Sequence, residues 1–194
     1  MKINNLWEEL NFEINTCKVF KKNEKDSKVL LGGGNRNCNL LIIGDDPNLF
    51  EDENLRIAPN STGAFFKNLY ELVELSPEEF YLTNIVKCNL RLKDLSKEEK
   101  KIYADVLDMQ IALLNPKMIV TLGQEVSRFL LRDQTLKISE IRGKTYDWDG
   151  GIKVNPIYDP NFLIRNSDKK KGSPKWLTWK DMEEIKKNME SING

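Results

Sequence analysis

The chain has 194 residues, with 30 Lys+Arg balanced by 30 Asp+Glu, three Cys and no His. Without imidazole there is no Ser-His-Asp or Cys-His catalysis, no His-ligated metal and no histidine proton shuttle. Any acid or base must then be a carboxylate, Lys, Tyr or Cys. A hydrophobic fraction of 40% with 31% charged residues fits a globular chain with a real core, and zero net charge leaves room for a local nucleic-acid face.

No apolar run approaches the roughly 18 residues of a membrane span, and the N-terminal residues lack a signal-peptide apolar region. A cytoplasmic protein with no membrane partner is expected. The unclustered Cys17, Cys38 and Cys88 argue against a disulfide framework.

Residues 6–20 place Leu6, Leu10, Phe12 and Ile14 at helical spacing, and the Lys-rich stretch to Lys28 reads as a solvated linker. Gly32-Gly33-Gly34-Asn35 reads as a flexible turn; it is no G-x-G-x-x-G, so no nucleotide cofactor is expected. Asn39 to Gly44 is a buried strand. Ser61 and Thr62 offer N-caps to a helix carrying Phe65, Phe66, Leu69, Leu72 and Val73. Ser76-Pro77-Glu78-Glu79 starts a short helix before a second strand, Tyr81 to Val86.

Ser96-Lys97-Glu98-Glu99 is a capping box for a long helix ended by Asn115-Pro116. Met118 to Gly123 is the third strand, followed by a helix with Val126, Phe129 and Leu130. Tyr146 to Trp148 and Ile152 to Tyr158 form a hairpin around Asp149-Gly150-Gly151, and a helix over about 178–191 closes the chain. The pattern predicts a single α/β domain over 1–194, with a helix and linker over 1–28 and a core over 29–194. Its architecture is three-layer α/β/α around a mainly parallel four-stranded sheet.

Open parallel sheets bind ligands at the carboxyl ends of their strands. That rule selects Gly44-Asp45-Asp46-Pro47-Asn48, Asn84 and Tyr158-Asp159-Pro160-Asn161. Taken singly, each has a dull explanation: an Asx turn for the aspartates, satisfied strand-end backbone for Asn84, a solvated loop for Lys169-Lys170-Lys171, core anchoring for Trp176 and Trp179. Their convergence on one end of one sheet is what those separate explanations do not predict.

In that order and on those strands, the segments resemble the uracil-DNA glycosylase superfamily, most closely the family 4 enzymes that usually carry an iron–sulfur cluster. The similarity runs from about Gly33 to Lys180. The family's G-E-x-P-G is matched by Gly44 to Asn48, with Glu51-Asp52 after it, and its T-N-x-V-K-C by Thr83 to Cys88. Its Pro-Lys-x-Ile-Val-x-Leu-Gly strand is matched by Pro116 to Gly123, its Arg-Gly by Arg142-Gly143, and its H-P-x-x-L-x-R by Asp159 to Arg165.

The departures from the family are as informative. A four-thiolate cluster needs all or nearly all of its ligands, yet only Cys17 and Cys88 match ligand positions, with Phe20 and Tyr103 at the others. No cluster and no metal are expected. The aromatic residue on which the flipped base stacks becomes Ala58, which opens space for a base larger than uracil. Asp46 matches the water-activating Asp of the related family 1 motif, G-Q-D-P-Y, and the motif His becomes Asp159.

The resemblance therefore implies a monofunctional DNA glycosylase that flips a base out of DNA and leaves an abasic site. Asp46, with Asp45 as second candidate, activates water and stabilises an oxocarbenium-like sugar. Asp159 is a protonated donor to the leaving base, or an acceptor from an amino group, or the mark of a dead site. Asn84, Ala58, Pro47 and Asn48 bind the base, and Asn84 can present either donor or acceptor. Asn161, Leu163 as a wedge, Arg165 and Lys169, Lys170 and Lys171 contact DNA, with Lys87, Arg91 and Lys93 widening that face. The expected substrate leans towards a base bulkier than uracil, such as a phage hypermodified cytosine removed in defence, with ordinary uracil repair and an inert DNA-binding or partner-binding module as alternatives. DNA is the expected partner of a monomer.

Overall fold

The computed structural model describes residues 2–16 and 29–193. Helix α1 (Lys2–Thr16) is followed, after residue 28, by β1 (Gly33–Gly34), β2 (Leu40–Gly44), α2 (Thr62–Glu71), β3 (Phe80–Asn84), α3 (Lys97–Leu114) and β4 (Met118–Leu122). Then come α4 (Gln124–Leu131), α5 (Ile138–Ile141), β5 (Tyr146–Asp147), β6 (Lys153–Ile157), α6 (Pro160–Arg165) and α7 (Pro174–Asn193). The strand order is β1-β3-β2-β4-β6-β5. The four inner strands are parallel, as their apolar runs predict, and a two-residue antiparallel strand is added at each edge. The sheet therefore has six strands rather than four.

The inner strands are buried on both faces, so their side chains alternate between two cores. Leu41, Ile43, Tyr81, Ile119 and Val154 pack against α1, α3 and α4. Leu40, Ile42, Phe80, Val120 and Ile157 pack against α2, α6 and α7. Capping residues set the helix starts as expected. The Ser61 side chain accepts from Ala64 N, 3.1 Å, and Ser96 and Glu99 exchange bonds across the α3 start. Asn115 closes α3 in the left-handed conformation, φ 46°.

Three local readings change. The Gly32–Gly34 segment is no flexible turn: Gly33 and Gly34 pair with Leu82 and Tyr81, and a Cβ on Gly32, at φ +147°, would lie 2.6 Å from the Leu82 carbonyl. Close backbone approach is why the stretch is glycine. The segment after β6 is a helix, α6, because Asp159 caps it with Pro160 at its first position. The closing helix begins at Pro174, earlier than its apolar spacing indicates. Of the expected first helix, residues 17–20 lie outside the described residues, as do Cys17 and Phe20 themselves.

The Arg142-Gly143 pair acts at a distance from the strand-end loops. Arg142 Nε donates to Asp181 Oδ2 at 2.6 Å and Nη2 to Asp181 Oδ1, with both side chains largely buried. Gly143, at φ +67°, passes so close that a Cβ would lie 2.6 Å from Asp181 Oδ1. This pair ties α7 to the segment before β5. Arg142→Met should cost about 3–5 kcal/mol in urea unfolding, because it strands a buried carboxylate.

Candidate active site

The carboxyl ends of the inner strands bring the predicted loops together. Gly44 and Asn84 are register partners, and a Cβ on Gly44 would collide with Leu49 and lie 2.8 Å from Asn84 Oδ1. The Asn84 amide is fully oriented by the neighbouring backbone: Nδ2 donates to the Asp46 carbonyl, 2.9 Å, and Oδ1 accepts from Asp46 N, 3.3 Å. Flipping it would set donor against donor. Asn84 thus offers a fixed pattern to a base rather than either donor or acceptor.

Asp46 is 2% exposed. Its Oδ1 accepts from Asn48 N at 3.0 Å, Asn48 Nδ2 at 3.3 Å and Arg91 Nη2 at 2.9 Å, and its Oδ2 from Asn161 Nδ2 at 2.5 Å. Burial alone would raise its pKa, but the bonds from Asn161, Asn48 and Thr62 and the Arg91 charge outweigh it, holding the carboxyl below its ordinary value. Asp45 experiences the opposite balance. Both its oxygens accept from Leu92 N, at 2.9 and 3.1 Å. Burial nevertheless lifts it to about 7, against that N–H and Arg91, with the charges of Asp159 and Asp46 adding to the rise. Asp45 keeps partial access to solvent; Asp46 does not.

Pro47, Asn48, Ala58 and Asn84 all line one cavity of about 270 Å³. Phe50, 2% exposed, lines it as well. The cavity therefore keeps an aromatic wall although Ala58 stands at the position aligned with the stacking residue. Its signal in the sequence is an aromatic five residues beyond Asp45, directly before the acidic pair Glu51-Asp52.

Asp159 is the N-cap of α6, its Oδ1 accepting from Asn161 N at 2.6 Å and Phe162 N at 3.3 Å. Its β-carbon is pressed against Gly123, at φ +95°, where a Cβ would lie 2.8 Å away. Two amides occupy Oδ1, and Oδ2 lies on the Gly123 side, 3.3 Å from where a Cβ on Gly123 would sit.

Several predicted DNA contacts are placed elsewhere. Leu163 is 0% exposed and packs in the α2–α6–α7 core, because α6 turns it inward. It cannot wedge into a duplex in this conformation, whereas Ile164 beside it is 44% exposed. Asn161 is committed inside the site, its Oδ1 accepting from Thr62 Oγ1 at 2.9 Å while Nδ2 holds Asp46. Lys87 is buried and Arg91 pairs with Asp46, so neither widens an outer basic face. Arg165 and Lys169, Lys170 and Lys171 are exposed, available for phosphates. Trp176 and Trp179 are half-buried; Trp179 packs against the α2–α6–α7 core, and both line a surface cavity of about 470 Å³ with Phe65 and Leu72.

The raised Asp45 pKa makes stability depend on pH. Between the ordinary 3.8 and about 7, the folded chain holds a proton that the unfolded chain has released, so stability falls as pH rises through that window. Asp45→Asn should remove this component. In urea unfolding its stability relative to the parent should climb between pH 4 and 7, by at most about 1.4 kcal/mol per pH unit.

A family model described as the uracil DNA glycosylase superfamily matches residues 31–183. The chain is 28% identical over 162 residues to the type-4 uracil-DNA glycosylase of Thermotoga maritima, covering 83% of this chain and 84% of that one. It is 27% identical over 172 residues to the type-4 uracil-DNA glycosylase of Sulfurisphaera tokodaii, covering 84% and 78%. A DNA polymerase of Bacillus phage SP01 is 26% identical over 144 residues, 73% of this chain but 15% of the polymerase. With the motif loops gathered at one end of the sheet and a family match across most of its length, the chain belongs to the uracil DNA glycosylase superfamily.

Proposed function

We propose that the protein is a DNA glycosylase that hydrolyses the N-glycosidic bond of a base flipped into the Asn84 cavity, leaving an abasic site. The observation that carries this is a pair of adjacent carboxylates, Asp45 and Asp46, the second bonded to Asn48 and Asn84 of that cavity's lining, whose surroundings push their pKa values apart, the pattern that assigns acid–base roles. Asp46 stays ionised and stabilises the oxocarbenium-like sugar. Asp45, partly open to solvent and near 7, takes the proton from the attacking water. This exchanges the order expected from the motif alignment, since the buried Asp46 carboxylate already has four donors. Base recognition falls to Asn84 with Phe50 as wall, and Arg165 and Lys169 to Lys171 hold the DNA of a protein acting as a monomer.

The fixed Asn84 amide keeps one donor and one acceptor, which can pair with O4 and N3–H of a uracil-type base. A second reading, a base bulkier than uracil such as a phage hypermodified cytosine, is favoured by Ala58, which lines the cavity where a larger side chain would fill it. Removal of such bases from invading DNA would be a defence activity.

No iron–sulfur cluster enters this proposal. The whole chain has three Cys, and Cys88 Sγ lies 3.3 Å from the hydroxyl of Tyr103, which is itself 0% exposed and stands in the sequence where the resemblance puts the fourth ligand. Among the described residues no group of His, Cys, Asp or Glu is placed to hold a metal. The residues present do not fit four-thiolate ligation. Purified protein should contain no stoichiometric iron by elemental analysis.

The activity test uses duplexes carrying uracil, hypoxanthine, or hydroxymethylcytosine with and without glucose, followed by alkaline cleavage of abasic sites. Uracil release is expected, with Asp46→Asn losing about 10²–10³-fold. The rate should rise with pH up to about 7, as Asp45 ionises, and Asp45→Asn should be slow and lack that rise. Release of the glucosylated base alone would select the bulky-base reading. Ordinary DNA binding with no strand breaks on any substrate would make the protein an inert module and overturn the proposal.

A further inference from the structure

Lys87 is 1% exposed and lies directly behind the base cavity, whose lining includes its own residue and Asn84. Its Nζ donates to the Asn84 carbonyl at 2.6 Å, to Thr83 Oγ1 at 2.7 Å and to Gln110 Oε1. Each of these groups is oriented to accept. The Thr83 hydroxyl proton is directed to the Leu31 carbonyl, 2.6 Å, and Gln110 Nε2 donates to the same carbonyl, 2.8 Å, which turns Oε1 towards the lysine. Three acceptors match the three protons of an ammonium group. They oppose the burial that draws Lys87 down to about 7. Among the described residues no carboxylate pairs with it, and the nearby cation Arg91 is bound to Asp46.

A departing base carries away the electron pair of the C1′–N bond as an anion. In this site that charge develops beside Asp45, Asp46 and Asp159, and a cation held dry and motionless is worth more there than one in water. We infer that Lys87 is the positive charge that stabilises the leaving base, acting from behind the Asn84 peptide as a positioning and electrostatic residue. The inference rests on the glycosylase reading. As the C1′–N bond breaks, the electron pair goes to the base nitrogen. Water oxygen then bonds C1′ and loses its proton to Asp45, and the base anion is protonated by solvent after release.

Leaving-group dependence tests this. Uracil and 5-fluorouracil are nearly the same size, but the fluorinated anion is more stable and needs less help. Lys87→Met should therefore lose about a hundredfold on uracil and about tenfold or less on 5-fluorouracil in the same duplex. Gln110→Glu keeps the contact to Nζ while adding a counter-charge, and should show the same ordering with its fold retained. Equal losses on both bases in both variants would make Lys87 structural and overturn the inference, while the parent protein still released uracil. A parent that released neither base would overturn the glycosylase reading, and Lys87's role would fall with it.

Discussion

The Asp46 carboxylate is the point to which the strand-end loops are tied. One oxygen holds its own loop through Asn48 and the segment after β3 through Arg91; the other holds α6 through Asn161, which reaches on to Thr62 at the start of α2. Its backbone does the same for β3, pairing both N–H and C=O with the Asn84 amide. A carboxylate has about four acceptor sites, and here they are filled from three separate stretches of chain. The cavity wall, the Asn84 amide and the Asp45–Asp46 pair are therefore mutually positioned by one buried charge rather than by loop packing alone.

That arrangement divides labour between adjacent side chains. Alternate residues leaving a strand end face different surroundings, so Asp45 turns to Leu92 and Asp46 to Arg91. The first meets a single amide donor and is dominated by burial; the second meets amides, a hydroxyl and a guanidinium and is dominated by them. A pair of identical residues becomes one group with its pKa raised to about 7 and one held below the ordinary carboxylate value. Lys87 and Arg91 then supply the cations, one used up in ordering Asp46 and the other free of any carboxylate partner among the described residues.

The layers and inner strands were legible because their signals are local: glycine-bounded apolar runs of four to six residues, an N-cap at Ser61, a capping box at Ser96, an Asn-Pro helix stop. The edge strand at Gly33–Gly34 was not, since two glycines carry no hydrophobic period and pair only because β3 lies beside them. The same distinction runs through the site. Asp45, Asp46, Asn84 and Asp159 were visible as motif positions, and the structure brings them together. Arg91 and Lys87 read as surface basics because charge says nothing about burial until partners are known; an Asp46 that four donors satisfy and a Lys87 that three acceptors satisfy are both inside. Leu163 went the other way, its inward turn being a property of the short α6 helix rather than of the residue.

The absence of histidine ends as a statement about one helix start. Where relatives of this superfamily are expected to carry an imidazole near the leaving base, Asp159 places a carboxylate whose Oδ1 is occupied by the first amides of α6. A capping oxygen serves the backbone, so Asp159 holds α6, and with it Asn161, in place. On the proposed mechanism, what stabilises the leaving base in place of that imidazole has to come from elsewhere. Lys87, reached through the carbonyl of the residue that reads the base, is the cation the fold keeps dry within hydrogen-bond distance of the cavity wall. Because that wall is a rigid strand end rather than a loop, such a charge would act without reorganisation during bond cleavage, which is the condition under which a buried charge contributes most to a rate.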